Sequence, residues 1–120
     1  MKRKDTGILG ENLAQAFLKK KGYAILETNY RCREGEIDIV ARQKDCLVFV
    51  EVRTKSDLRF GTPEESITEN KMSHLKRAAN RYQQQHYKLP ALWRIDVVAV
   101  ELDGNQKLKR IELIENAVEG

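Results

Sequence analysis

Two acids stand inside the most apolar stretch of the chain, "GEIDIVARQKDCLVFVEVRTKS", residues 35–56. Asp38 lies between Ile37 and Ile39, and Glu51 between Val50 and Val52. Carboxylates are rarely buried unless they are paired or hold a metal. Only Arg42 to Asp45 separate the two apolar runs, Glu36–Ala41 and Cys46–Arg53. A link that short makes an antiparallel hairpin. Side chains alternate along a strand, so a turn centred on Lys44-Asp45 sets Asp38 opposite Glu51 on one face, and a one-residue slip would separate them. Like charges so placed repel and do not readily both ionise without a cation. A divalent ion removes the conflict. Mg²⁺ takes oxygen ligands and keeps several waters, so two carboxylates suffice as its protein ligands. The ordinary alternative is structural: pairing of these acids with Arg53, Arg31 or Arg33.

The charge pattern agrees with an acidic centre that meets a polyanion. The 120 residues carry a formal charge of +4. Met1 to Glu34 holds eight Lys/Arg against four Asp/Glu, and Ser66 to Trp93 holds five against one. Between them, Gly35 to Glu65 holds five against seven. Basic flanks around an acidic middle suit phosphate bound about a metal centre; a mixed solvated surface is the plainer explanation. Cys32 and Cys46 lack zinc-site spacing and read as free thiols. The apolar runs are too short to span a membrane, and no apolar signal core follows the basic start, so a cytoplasmic protein is expected.

The elements that must carry these residues follow from periodicity. Thr6 to Lys21 predicts a helix with Leu9, Leu13, Ala16, Phe17 and Lys20 along one side and Ala14 and Leu18 beside them; Gly22 ends it. Tyr23 to Cys32 predicts a strand, Gly35 a turn, and then comes the acidic hairpin. Ser56 to Glu65, with Gly61 and Pro63, predicts a loop. A second helix runs from Ser66 or Thr68 to His86, with Ser66-x-x-Glu69 as its capping box and Leu75, Ala78, Ala79 and Tyr82 as its apolar stripe. Leu92 to Leu102 and Lys107 to Ile114, joined by Asp103-Gly104-Asn105, predict a hairpin whose last strand is an edge. Trp93 and Tyr82 are expected in the core, Asp96 paired with Arg94, and His74 and His86 outside the chemistry.

Asp38 followed by Glu51-Val52-Arg53 resembles the Asp…Glu-x-Lys signature of the PD-(D/E)XK nuclease superfamily. The blocks "GENLAQAFLKKKGY", "NYRCREGEIDIVARQKDCLVFVEVRTKS", "FGTPEESITENKMSHLKRAANRYQQ" and "WRIDVVAV" resemble successive blocks of the YraN-like family of uncharacterised bacterial proteins. The resemblance implies an α/β (α+β) fold of restriction-endonuclease-like order, αβββαββ, with a mixed central sheet flanked by helices. It implies one nuclease-like domain over residues 1–120, similar to the archaeal Holliday junction resolvases. Carried over by residue, it makes Asp38 and Glu51 ligands of Mg²⁺ (or Mn²⁺) and Glu11 a third acid, although Glu11 also suits a helix N-terminus on its own. Glu36 becomes a neighbouring acid. Where the superfamily has lysine this chain has Arg53, which stays protonated and cannot be a general base but can hold a phosphate. Lys55, on the same face, offers an ammonium. Lys71 matches a family block and shares a face with Leu75, Ala78 and Tyr82; a solvated helix lysine is its plainer reading. Arg31, Arg33, Lys55 and Lys71 are the expected phosphate contacts. The implied function is a Mg²⁺-dependent endonuclease of structured or branched DNA, working as a homodimer. The rival is a catalytically weak or inactive nucleic-acid-binding module on the same fold, and a third class is a structural partner protein.

Overall fold

Helix α1 spans Arg3–Lys20 and ends on glycine, as the sequence predicts. Gly22 takes φ 89°. Tyr23 N–H donates to Leu18 O and Gly22 N–H to Lys19 O, each at 3.0 Å, which satisfies carbonyls that the last turn leaves open. The structure, a computed structural model, describes residues 3–117, without the side chains of Arg3 and Lys4; Met1 and Lys2 of the basic start lie outside the described residues. The buried line of α1 departs from the predicted stripe. Gly10, Ala14 and Leu18 are buried, whereas Ala16 and Lys20 are exposed. Gly10 is the reason. A Cβ built on it would lie 1.8 Å from Thr54 Oγ1, so the helix backbone itself rests on the sheet and the contact centres there.

The remaining elements are β1 (Ala24–Cys32), β2 (Gly35–Gln43), β3 (Cys46–Lys55), α2 (Glu69–Gln85), β4 (Leu92–Leu102) and β5 (Leu108–Ile114). They give the mixed αβββαββ arrangement. The strands form one sheet in the order β1-β2-β3-β4-β5. β1, β2 and β3 are an antiparallel meander. β3 and β4 run parallel, because α2 makes the crossover between them. β5 pairs antiparallel with β4 and is an edge, as expected.

Alternation along β3 divides the core. Leu47 and Phe49 pack with Leu75, Ala78 and Tyr82 of α2. Val48 and Val50 pack with Ala14 and Leu18 of α1. The helices therefore cover opposite faces, and the central strands are apolar on both sides. Tyr82 and Trp93 sit edge-on to Phe49, with ring centroids 5.7 and 5.9 Å from it, so both serve packing as expected.

The segment before α2 corrects the sequence reading. The N-cap is Thr68, whose Oγ1 accepts the Lys71 N–H at 3.1 Å, and not Ser66. A reciprocal capping box does form, earlier in the predicted loop. Thr62 N–H donates to Glu65 Oε1 at 2.9 Å, and Glu65 N–H to Thr62 Oγ1 at 3.3 Å. It opens a one-turn 3₁₀ helix, Glu64–Ser66, with Pro63 at its start. The Ser66 hydroxyl donates to Pro63 O at 2.5 Å, and its oxygen can still accept a bond from elsewhere. Among the described residues no helix is long and apolar enough to cross a membrane.

Candidate active site

The hairpin has the predicted register: Gln43 lies opposite Cys46, and Ile39 opposite Val50. The ladder stops there, and the next pair is Asp38 and Glu51. Asp38 does not simply point from one face. Val52 N–H donates to Asp38 Oδ2 at 2.8 Å, so the carboxylate sits in the plane of the sheet, where the departing β2 backbone leaves β3 without a partner. Alternation breaks around it. Val40 and Ile37 both pack on the α2 side, while Ile39 packs on the α1 side. On β1, Asn29 lies between the partners of Ile39 and Ile37 and takes φ 53°. The predicted one-face pair is thus a convergence at a splay between strands. Asp38 is close enough to Glu51 and, from the α1 side, to Glu11 to raise the pKa of both. Gly10 makes the second approach: the close seat of α1 on Thr54 brings the next residue, Glu11, to the sheet.

Electrostatics at this point are unbalanced. Glu51 is 2% exposed. Burial, and then the neighbouring Asp38, push its pKa up to about 8, against the pull of Lys71 and Arg53. Burial, Asp38 and Glu36 likewise raise Glu11. Two cations share one oxygen of Glu51: Lys71 Nζ is 3.6 Å and Arg53 Nη1 3.4 Å from Oε2. Arg53 is held further by Ser66, with Nε donating to its Oγ at 2.9 Å and Nη2 to its carbonyl at 3.3 Å. Lys55 is directed elsewhere, with Nζ donating to Phe60 O at 3.5 Å and Gly61 O at 3.4 Å.

These groups line one open cleft of about 820 Å³, which contains Glu11, Glu36, Asp38, Glu51, Arg53, Lys55 and Lys71. Arg31 and Arg33 are not in its lining. Arg31 is exposed on β1 and pairs with Glu36 at 3.5 Å, and Arg33 is exposed at the β1–β2 turn. Among the described residues, no three His, Cys, Asp or Glu side chains stand ready-made as a metal cage. The acids meet pairwise at Asp38, and Glu51 is turned to its two cations. The donor set nevertheless fits a hard divalent ion. It is all oxygen, burial and then the Asp38 carboxylate raise both Glu51 and Glu11, and two carboxylates suffice for Mg²⁺.

The other acid placed inside a strand serves structure. Asp96 is fully buried and accepts from Arg94 Nε at 3.0 and 3.1 Å and from Asn116 N–H at 2.9 Å. Arg94 also donates to Tyr23 Oη and Gln43 Oε1. The network is closed and pairs as expected. Three residues of the site escaped the sequence reading. Ser66 stands in a pattern, Ser66-x-x-Glu69, that predicts a cap. Gly10 gave a signal, since glycine inside a helix costs about 1 kcal/mol relative to alanine and so calls for a packing reason. Phe60 gave none.

The model described as "Uncharacterised protein family UPF0102" matches residues 10–100. A UPF0102 protein of Caldicellulosiruptor bescii is 46% identical over 118 residues, covering 98% of this chain and 99% of the relative. One from Dehalococcoides mccartyi is 49% identical over 116 residues, covering 97% and 94%. One from Moorella thermoacetica is 46% identical over 117 residues, covering 98% of each chain.

Proposed function

The chain belongs to the uncharacterised protein family UPF0102, the YraN-like family that its motifs resemble, and from that premise we propose a chemistry that the family name does not supply. The reading is a metal-dependent endonuclease of the PD-(D/E)XK kind, hydrolysing phosphodiester bonds of structured or branched DNA. One observation carries it: a buried glutamate with a strongly raised pKa meets a second carboxylate at a splayed strand end, inside an open cleft. Burial raises Asp96 too, but both its oxygens are hydrogen-bonded, whereas the two cations beside Glu51 stand 3.4 and 3.6 Å from a single oxygen.

Asp38 and Glu51, with Glu11 beside them, would hold Mg²⁺ or Mn²⁺. The bound ion supplies Lewis acidity and an activated water. The chain's own residues do the rest. The Val52 N–H fixes one oxygen of Asp38. Ser66 fixes the guanidinium of Arg53, which then presents a permanent positive charge to a phosphate without a proton to exchange. Lys71, half-buried beside Glu51, offers a second cation to the same phosphate. A homodimer would suit a branched substrate with two equivalent strands.

The rival, a catalytically weak or inactive nucleic-acid-binding module, has one observation in its favour: Arg53 stands at the lysine position and is already engaged by Ser66 and Glu51. The test is cleavage of single-stranded, duplex and four-way DNA by the purified protein across a Mg²⁺ and Mn²⁺ titration, with Asp38→Asn as control. Cleavage that needs the ion and is lost in Asp38→Asn supports the enzyme. Binding without cleavage at any ion concentration supports the module.

A further inference from the structure

We propose that Phe60 is a stacking platform for an unpaired base of the nucleic acid in the cleft; this rests on the nucleic-acid reading above and narrows its substrate to strands with an unstacked nucleotide beside the acid cluster. The ring is 87% exposed, and the residue lines the same cleft as Asp38 and Glu51. Tyr87, at 93%, is as exposed but lies outside that lining, so exposure alone does not single Phe60 out.

The backbone that carries the ring is held firmly. Gly61 N–H donates to Leu58 O at 3.1 Å and closes a four-residue turn with Arg59 and Phe60 at its tip. Gly61 takes φ 103°, which favours glycine. Lys55 Nζ donates to the carbonyls of both Phe60 and Gly61. Asp57 accepts the Arg59 N–H at 3.0 Å and Arg59 Nε at 2.8 Å. A turn tied at several points ends in an apolar ring in water, so the ring contributes little burial to the fold. The backbone that carries it is set before any ligand arrives, which lowers the entropic cost of binding. The Arg59 guanidinium lies 6.0 Å from the ring centroid and adds positive charge beside it.

An aromatic ring next to a phosphate-binding cleft recognises the face of a base, whatever its identity. Inside a continuous duplex both faces of each base are already stacked. A single strand, a flap or a branch point offers a free face. Phe60 therefore acts on specificity for strand structure and not on sequence.

The experiment is equilibrium binding by fluorescence anisotropy, in EDTA so that no cleavage intervenes, with the full chain and its Phe60→Ala and Phe60→Trp variants. The ligands are a single-stranded oligonucleotide, a flapped duplex and a continuous duplex. Phe60→Ala is expected to weaken the first two by about 5- to 100-fold, the usual worth of one base–aromatic stack, and the duplex by less than about twofold. Phe60→Trp is expected to restore affinity, with indole emission quenched by the ligands that have an unpaired base. Equal loss on all three ligands, or no loss while the wild type binds, overturns the proposal and leaves the nuclease reading standing. A shift of sedimentation coefficient in Phe60→Ala with affinities unchanged overturns it in favour of contact between two copies of the chain. Failure of the wild type to bind any of the three, both in EDTA and with Mg²⁺ present, defeats the proposal together with the nucleic-acid reading beneath it.

Discussion

Glu51→Gln is expected to make the metal-free protein more stable at pH 8 while leaving it nearly unchanged at pH 5. The carboxyl has a native pKa of about 8 and a reference value of 4.5. Below pH 4.5 it is protonated in both states. Between 4.5 and 8 the unfolded chain has released the proton and the native state still holds it, so stability falls as pH rises; above 8 the loss is complete. At ~1.4 kcal/mol per pH unit, the loss between pH 5 and pH 8 amounts to roughly 3 kcal/mol. Gln keeps the shape, carries no proton to lose, and still accepts from Arg53 and Lys71. Both cations retain other solvation, since their side chains are 32% and 28% exposed. In a chain of this size the gap corresponds to a melting temperature on the order of 10 °C higher for the variant at pH 8. The assay is paired thermal melts of wild type and Glu51→Gln in EDTA across pH 5 to 8. The difference between the two curves cancels the groups that do not interact with Glu51, and so reports Glu51 together with the neighbours coupled to it. Adding Mg²⁺ at pH 8 should raise the wild type alone, because a ligand that binds only the native state stabilises it. Parallel curves with no pH-dependent gap, or a variant less stable throughout, would refute the reasoning. They would mean that Glu51 is a structural anion for Lys71 and Arg53.

Binding of DNA should weaken steeply with salt, and Lys71→Met should lower the slope of log K against log salt by about 1, the signature of one lost phosphate contact; an unchanged slope would remove Lys71 from the interface. Lys55 and Arg33 are the next residues to truncate in the same titration, and Lys55→Met should also loosen the turn whose carbonyls its ammonium holds. Gly10→Ala should destabilise by about 1–3 kcal/mol despite the better helix propensity of alanine, because the new methyl has nowhere to go against Thr54. A urea midpoint equal to that of the wild type would show that α1 is not seated on β3 there. Asp96→Ala should cost about 3–5 kcal/mol by stranding the guanidinium of Arg94, at any Mg²⁺ concentration; a stabilised variant would move Asp96 from the structural class to that of Glu51.

Much of the fold was legible because its signals are local. Four residues between two apolar runs admit only a hairpin, and the period of the apolar pattern fixes its register. Leu75, Ala78, Ala79 and Tyr82 announce the buried face of α2. α1 was misread by one strip of its surface, because hydropathy ranks leucine above glycine whereas the contact is made by the residue with no side chain. The capping box before α2 failed for a related reason. Two consecutive matches, Thr62-x-x-Glu65 and Ser66-x-x-Glu69, satisfy the same pattern; the first forms, and the Ser66 hydroxyl accepts instead from Arg53, a tertiary partner that no local pattern announces.

The site divides along the same line. Asp38 and Glu51 were legible because an acid between two isoleucines or two valines contradicts its surroundings; Glu11 comes only with the family resemblance. What decides the chemistry is how Asp38 leaves the pleat, and no periodicity argument reaches that. Strict alternation puts Asp38 on the α2 face with Glu51, where the α1 helix has no access. The break between Ile39 and Ile37 turns the carboxylate into the plane, so that α1 supplies Glu11 from one side and β3 supplies Glu51 from the other. A one-face pair could have been balanced from α2 alone, by Lys71. An in-plane acid met from both faces has Glu11 as a neighbour on one side and Glu51 on the other, and the cations beside Glu51 come from α2 and β3. The uncompensated burial of Glu51 beside Asp38 is therefore tied to the strand splay, which no periodicity announces.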